Sequence, residues 1–215
     1  MYEKSKKYKN LALFDFDGTL YKKDSFTGFI FYALSKRHII KQGFKILPWI
    51  QAYYLKAYPA HAMRPKLFHA MFKNSHVDEI DAIAQEYVHH IHKNYNAELL
   101  ARLHDHQALG DDVVLVSATV DIYLKYIAKN LGIDVICTKT EIIDQHYTGR
   151  YSSADCSAEQ KAIRIVERYK LNQYQHIYAY GNSDEDLQML HLAHYSYYVG
   201  KNDQLPLLER VEQSA

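Results

Sequence analysis

Leu11-Ala12-Leu13-Phe14-Asp15-Phe16-Asp17-Gly18-Thr19-Leu20 joins an apolar run to two carboxylates two residues apart. In an extended chain, residues i and i+2 point the same way, so Asp15 and Asp17 face one pocket while Phe14 and Phe16 face the other side. Two converging acids repel each other unless a divalent cation sits between them. Mg²⁺ prefers oxygen ligands and keeps waters for a substrate phosphate, which suits such a pair. Gly18 then permits the backbone turn out of the strand.

Downstream of Asp111 the pattern alternates strand and helix. Apolar runs at Val113 to Val116, Val135 to Cys137, Ile177 to Tyr180 and Tyr195 to Val199 are separated by helical stretches at 120–131, 157–169 and 184–192, with a hairpin over Thr140 to Tyr151. This is the grammar of an α/β protein with a parallel sheet, whose chemistry gathers at the carboxyl ends of the strands. Between the first strand and residue 105 the spacing is helical instead. Phe26, Phe29, Ile30, Ala33 and Leu34 share one face, and so do Val77, Ile80, Ile83, Ala84, Tyr87, Val88 and Ile91, with Ser75 and Asp78 offering a capping-box start. A last helix runs from Ala97 to Leu109. Residues 21–105 therefore read as an all-helical insertion in a core domain made of 1–20 and 106–215. Within it, Ile40, Phe44, Leu47, Ile50 and Tyr54 form one stripe and Lys41, Lys45 and Lys56 another, with Trp49 nearby. That mix suits an anionic interface, although soluble proteins usually bury such a face.

Composition narrows the function classes. In 215 residues, 48% of them hydrophobic, there is enough material for a buried core, and a net charge of +1 gives no basic excess for nucleic acid. Cys137 and Cys156 are too few for a disulfide framework. The basic start, Met1 to Lys9, runs directly into the first strand without the apolar core of a signal peptide, so a cytoplasmic protein is expected. No run of about 18 uncharged apolar residues exists to span a membrane. His89, His90 and His92, and His104 with His106, lack the i, i+4 spacing of a helical metal site. Arg64 and Asp24 lie in the helical insertion and could meet a zwitterionic substrate, although surface roles are expected for both.

Three further stretches bear on the site. Ser117-Ala118-Thr119 follows the strand at Val113 to Val116 and is read as opening a helix, where a hydroxyl and free N–H groups meet an anion. Lys161 lies one turn into a helix and offers an ammonium to phosphate. Gly181-Asn182-Ser183-Asp184-Glu185-Asp186-Leu187 follows another strand and offers oxygen ligands for a cation. Singly these read as an N-cap, a solvated lysine and an acidic helix start.

Together and in this order, the four stretches resemble the motifs of the haloacid-dehalogenase-like (HAD) phosphohydrolases, and the resemblance covers nearly the whole chain. The chain is most similar to the subfamily containing phosphoserine phosphatase and C-type phosphatidylglycerophosphatase, with DFDGTLYKKDSF and YGNSDEDLQML closer to the second. The resemblance implies a Rossmann-like parallel-sheet core with a C1-type helical cap that closes over the site. It implies Asp15 as nucleophile, Asp17 as proton carrier and Lys161 as charge stabiliser, with Ser117, Ala118, Thr119 and Gly18 holding the phosphoryl group. Mg²⁺ is implied as cofactor, bound by Asp15, Asp17, Asn182 and Asp186. One departure matters: phosphoserine phosphatases have Asp where this chain has Asn182, and Asn where it has Glu185, which leaves the relative parts of Asp184 and Asp186 open. The expected substrate is a phosphomonoester, either a lipid phosphate such as phosphatidylglycerophosphate, with peripheral membrane contact, or a small soluble one such as phosphoserine. Two rivals are a non-catalytic HAD-like binding module and a DxD glycosyltransferase. The second leaves Ser117, Lys161 and the acidic loop unexplained.

Overall fold

A computed structural model describes residues 9–36, 48, 51 and 60–209. Seven strands form in chain order: β1 (Lys9–Phe14), β2 (Asp112–Val120), β3 (Asp134–Thr138), β4 (Thr140–Ile143), β5 (His146–Tyr151), β6 (Tyr174–Gly181) and β7 (Tyr195–Tyr198). Five make one sheet in the order β3-β2-β1-β6-β7, with every pairing parallel, and β4 and β5 make the antiparallel hairpin. The helices are α1 (Ser25–Lys36), α2 (Ala60–Phe72), α3 (Val77–Ile91), α4 (Ala97–Leu109), α5 (Asp121–Leu131), α6 (Glu159–Arg168) and α7 (Leu187–Leu190). The expected α/β architecture is what forms, with β1 at the centre of the sheet.

The central stretches of β1, β2 and β6 are apolar on successive residues because both faces of the sheet are covered there. Ala12, Phe14, Val113, Leu115, Tyr178 and Tyr180 pack on one side, into a cluster that continues through Phe29, Phe68, Phe72, Tyr87 and Val88 of the helical segment. Leu11, Leu13, Val114, Val116, Ile177 and Ala179 pack on the other side, against Ile165 of α6 and Met189 and Leu190 of α7. Many of the tyrosines place a ring in these layers and keep the hydroxyl bonded. Tyr87 Oη donates to the Ser25 carbonyl at 2.8 Å, and Tyr180 Oη meets His106 Nε2 at 2.9 Å.

Three local expectations need correction. The stretch Ser117-Ala118-Thr119 does not open a helix: β2 runs on to Val120, and α5 begins at Asp121. The register with β3 slips between Ser117 and Val120, and Thr138 Oγ1 donates to the Ala118 carbonyl at 2.7 Å, so the chain stays tied to β3 while its pleat is broken. The N-cap of α3 is His76, whose ring accepts from Asp78 N–H, in place of Ser75. Arg64 is not a surface residue; its side chain is 12% exposed and ion-paired. Helix α4 crosses residue 105 and packs on the sheet, with His106 fully buried between Asp111 and Tyr180. The stripes between Ile39 and Tyr58 lie outside the described residues, Pro48 and Gln51 apart.

Candidate active site

Asp15 is the first residue beyond β1, and its N–H still donates to the Tyr180 carbonyl of β6 at 2.9 Å. That last ladder bond fixes the carboxylate at the carboxyl end of the central strand. The chain then turns at Gly18, whose φ is +82°, a region glycine enters without steric cost. A Cβ there would also stand 2.1 Å from the Asn182 side-chain amide, so the glycine is required twice. The turn returns Thr19 to the strand end, where its hydroxyl donates to Asp15 Oδ2 at 2.8 Å and lies 3.2 Å from Asn182 Oδ1.

Lys161 is the third residue of α6 and is 1% exposed. Its ammonium donates to Asp15 Oδ1 at 2.6 Å, to Asp186 Oδ1 at 2.5 Å and to the Val116 carbonyl at 3.1 Å. All three ammonium hydrogens are used. Asp186 Oδ2 accepts from Asn182 N–H, Ser183 N–H and Ser183 Oγ, at 2.9, 2.9 and 3.0 Å. Asp17 is held from another direction: Ser25 N–H, at the start of α1, donates to its Oδ1 at 2.7 Å. The Ser25 hydroxyl lies 2.8 Å from Tyr123 Oη, and that hydroxyl in turn bonds Thr119 Oγ1 at 2.5 Å.

Charge in this pocket is out of balance. Burial, then the nearby Asp186 charge, pushes Asp15 up to about 6 against the pull of Lys161, and burial with Asp24 pushes Asp17 up to about 8. Burial acts on Asp186 too, but Lys161 and the loop amides outweigh it and hold that carboxyl below its ordinary value. For Lys161 burial works against the charge, and the two carboxylates more than compensate. One buried ammonium thus serves two carboxylates, with a third carboxylate beside them. That excess suits a hard divalent cation, and the oxygens offered by Asp15, Asp17 and Asn182 at one end of the sheet are of the right kind. Among the described residues no group of three His, Cys, Asp or Glu side chains is arranged to hold a metal, so the Asn182 oxygen is needed to complete a set at this site.

Every residue expected at the site from sequence lines one cavity of about 480 Å³: Asp15, Asp17, Gly18, Ser117, Ala118, Thr119, Lys161, Asn182 and Asp186. Phe26, Met63 and Leu67 add an apolar part to the lining of the same cavity, and Lys22, Lys23 and Asp24 a charged one. Asp24, expected at the surface, lines this cavity and also caps α1 by accepting from Thr27 N–H at 2.9 Å. Sequence reasoning missed Ser25, Tyr123 and Arg64. Only Ser25 had a signal, as the first residue of a helix next to the motif.

The chain matches the haloacid dehalogenase-like hydrolase family over residues 12–191. It is 27% identical over 201 residues to a histidinol-phosphatase of Neisseria meningitidis, covering 86% of this chain and 87% of that protein. Among solved structures, a Bordetella pertussis protein of unknown function superposes with a TM-score of 0.75 at 24% identity, covering 88% of this chain and 89% of its own. A substrate-bound phosphoserine phosphatase superposes at 0.64 and 16% identity, covering 88% and 86%. The fold is shared with both. With a family match that spans most of its length, from β1 to the helix beyond the acidic loop, this protein belongs to the haloacid dehalogenase-like hydrolases.

Proposed function

We propose that this enzyme is a Mg²⁺-dependent phosphomonoester hydrolase that works through an aspartyl phosphate on Asp15. The observation that carries the reading is a carboxylate at the end of the central strand, bonded to a buried lysine, with a second, proton-holding carboxyl in the same cavity. Asp15 attacks phosphorus while Asp17, protonated at neutral pH, gives its proton to the departing alcohol oxygen. Asp17 then takes a proton from the water that attacks the phosphoaspartate, releasing phosphate and restoring Asp15. Lys161 neutralises charge on the phosphoryl oxygens, and the Ser117 hydroxyl with the Ala118 amide orients them, while the Gly18 and Thr119 N–H groups donate to the Tyr21 carbonyl and to Ser117 Oγ and shape the rim around them. Mg²⁺ held by Asp15 and the Asn182 carbonyl oxygen, and by Asp17 while it is deprotonated, would supply further charge on the transferring group. Asp186, whose oxygens already accept from four donors, serves as the anchor of Lys161 and of the 182–183 turn. Residues 21–96 act as the cap.

The apolar wall of Phe26, Met63 and Leu67 favours a phosphomonoester whose alcohol carries an apolar portion, of which a lipid phosphate is the extreme case. The lysine and apolar stripes between residues 39 and 58 extend that idea to contact with an anionic membrane surface. No described helix is long and apolar enough to cross a membrane. The test is phosphate release from phosphoserine, histidinol phosphate, a long-chain alkyl phosphate and phosphatidylglycerophosphate in vesicles, each with Mg²⁺ and with chelator. Preference for phosphoserine would remove the apolar requirement. No Mg²⁺-dependent release from any of them would overturn the function.

Two predictions arise from the same geometry. Replacing Asn182 by Asp adds a carboxylate beside the cation, so the Mg²⁺ concentration giving half-maximal activity should fall several-fold. An unchanged dependence places Asn182 outside the ligand set. In the metal-free protein Asp15 and Asp17 keep protons, up to about pH 6 and 8, that they release near 3.8 in the unfolded chain. The folded state then binds more protons than the unfolded state, so this pair subtracts stability as pH rises from about 4 towards 8. Mg²⁺ competes for the deprotonated forms, and the rise in melting temperature on adding Mg²⁺ should be larger at pH 8 than at pH 5. Equal rises at both would contradict the shared site.

A further inference from the structure

Arg64 of α2 lines the catalytic cavity, and its Nε and Nη2 donors are taken up by two carboxylates outside the Asp15–Lys161–Asp186 cluster. Nε and Nη2 donate to the two oxygens of Asp155 at 3.0 and 2.9 Å, and Nη2 also reaches Glu185, at 3.1 Å to Oε2 and 3.3 Å to Oε1. This is a two-pronged guanidinium–carboxylate pair with a second carboxylate attached, a geometry that a lysine cannot reproduce. Arg64 and Asp155 are each 12% exposed and Glu185 is 33% exposed, so the pair is screened far less than a surface bridge.

The positions of the two acids give the contact its meaning. Asp155 lies six residues before Lys161, on the loop that leads into α6, and Glu185 sits beside Asp186 in the acidic turn. The two loops are themselves joined: Ala158 N–H donates to the Glu185 carbonyl at 2.9 Å. Ala158 adopts φ 47°, ψ −123°, the first central position of a tight turn closed by Gln160 N–H to the Ser157 carbonyl at 3.0 Å. A residue with a Cβ is strained there, by about 1–3 kcal/mol, and keeps the conformation only when its surroundings enforce it. The Glu185 carbonyl that accepts from Ala158 N–H is part of those surroundings, and Arg64 holds the Glu185 side chain. Helix α2 is in turn fixed against the hairpin, through Phe68 packed on Tyr147 and Tyr151.

We propose that Arg64 is a positioning residue: by bridging Asp155 and Glu185 it clamps the loop that delivers Lys161 to the turn that carries Asn182 and Asp186, and holds both against α2. The reaction it would serve is the phosphoryl transfer proposed above. Its Nε and Nη2 donors are thereby engaged by carboxylates and are not held ready for an anionic group on the substrate.

Arg64→Met, Arg64→Lys and Asp155→Asn separate these roles. With p-nitrophenyl phosphate and with phosphoserine, each variant should lose kcat by the same factor for both substrates, on the order of 10- to 100-fold for Arg64→Met, while KM moves little. Asp155→Asn should reproduce the loss, Arg64→Lys should recover part of it, and combining Arg64→Met with Asp155→Asn should cost no more than the worse single change. Hydrogen exchange supplies a readout that needs no activity: amides at 157–161 and 182–186 should exchange faster in Arg64→Met and Asp155→Asn than in the parent. A rise in KM confined to phosphoserine would assign Arg64 to the substrate, and unchanged exchange in both segments would overturn the clamp. Should the parent hydrolyse no phosphomonoester, the function falls and the exchange data still decide the clamp. Should Arg64→Met not fold, Arg64→Lys and Asp155→Asn carry the same comparison.

Discussion

Asp15→Asn is expected to lower phosphate release by on the order of 10⁴-fold while leaving the fold intact, because only the nucleophilic charge is removed. The two side chains are nearly isosteric. Thr19 can still donate to the remaining carbonyl oxygen, and Lys161 keeps Asp186 and the Val116 carbonyl as partners. The substitution also takes one of two carboxylates away from a single buried ammonium, so metal-free stability should be unchanged or slightly higher. Two measurements check this: turnover of a phosphomonoester, and trapping of a hydroxylamine-labile phosphoenzyme, which the variant should not form. Residual activity above about a hundredth of the parent's would be too much for an enzyme that has lost its nucleophile.

Lys161→Met should damage both stability and catalysis. With the ammonium gone, Asp15 and Asp186 share the end of the sheet with no cation between them, and breaking a buried pair in this way costs about 3 kcal/mol. One of the two acids will take up a proton. Its folded-state pKa then stands above its unfolded value, so the deficit should be small near pH 4 and grow as pH rises through that folded pKa. Activity should fall by on the order of 10³-fold, as when a preorganised donor is lost. Saturating Mg²⁺ should recover part of the stability and little of the rate. Urea unfolding at pH 4.5 and 7.5 reads the first expectation, and a deficit that does not depend on pH would mean that the lysine does not neutralise these acids.

Legibility in the sequence followed the range of the forces involved. Asp15 and Asp17 were readable because they stand two residues apart directly after an apolar strand, and the parallel sheet was readable because a doubly covered strand must be apolar on both faces. Lys161 and the 181–187 turn needed the order of four stretches to be recognised, since a lysine on a helix says nothing of the Val116 carbonyl it will meet. The extension of β2 through Thr119 was missed because it depends on Thr138, on another strand, holding the Ala118 carbonyl. Arg64 was missed for the same reason. Its two partners lie 91 and 121 residues away, and nothing in the local sequence distinguishes it from a solvated arginine.

The apolar cluster that runs from Phe14 and Leu115 in the sheet through Phe29, Phe72, Tyr87 and Val88 has a consequence for how the molecule can be divided. An insertion joined to its host by polar contacts can be deleted and leave a foldable remainder; here the helical segment shares one continuous apolar cluster with β1, β2 and β6 and with α4 and α5. Excision of residues 21–96 would strip Phe29 and Tyr87 from Tyr123 of α5 and expose that ring, and the severed core would associate or precipitate before it could fold alone. The helical segment and the sheet should melt in a single transition, with equal calorimetric and van't Hoff enthalpies, as one cooperative unit.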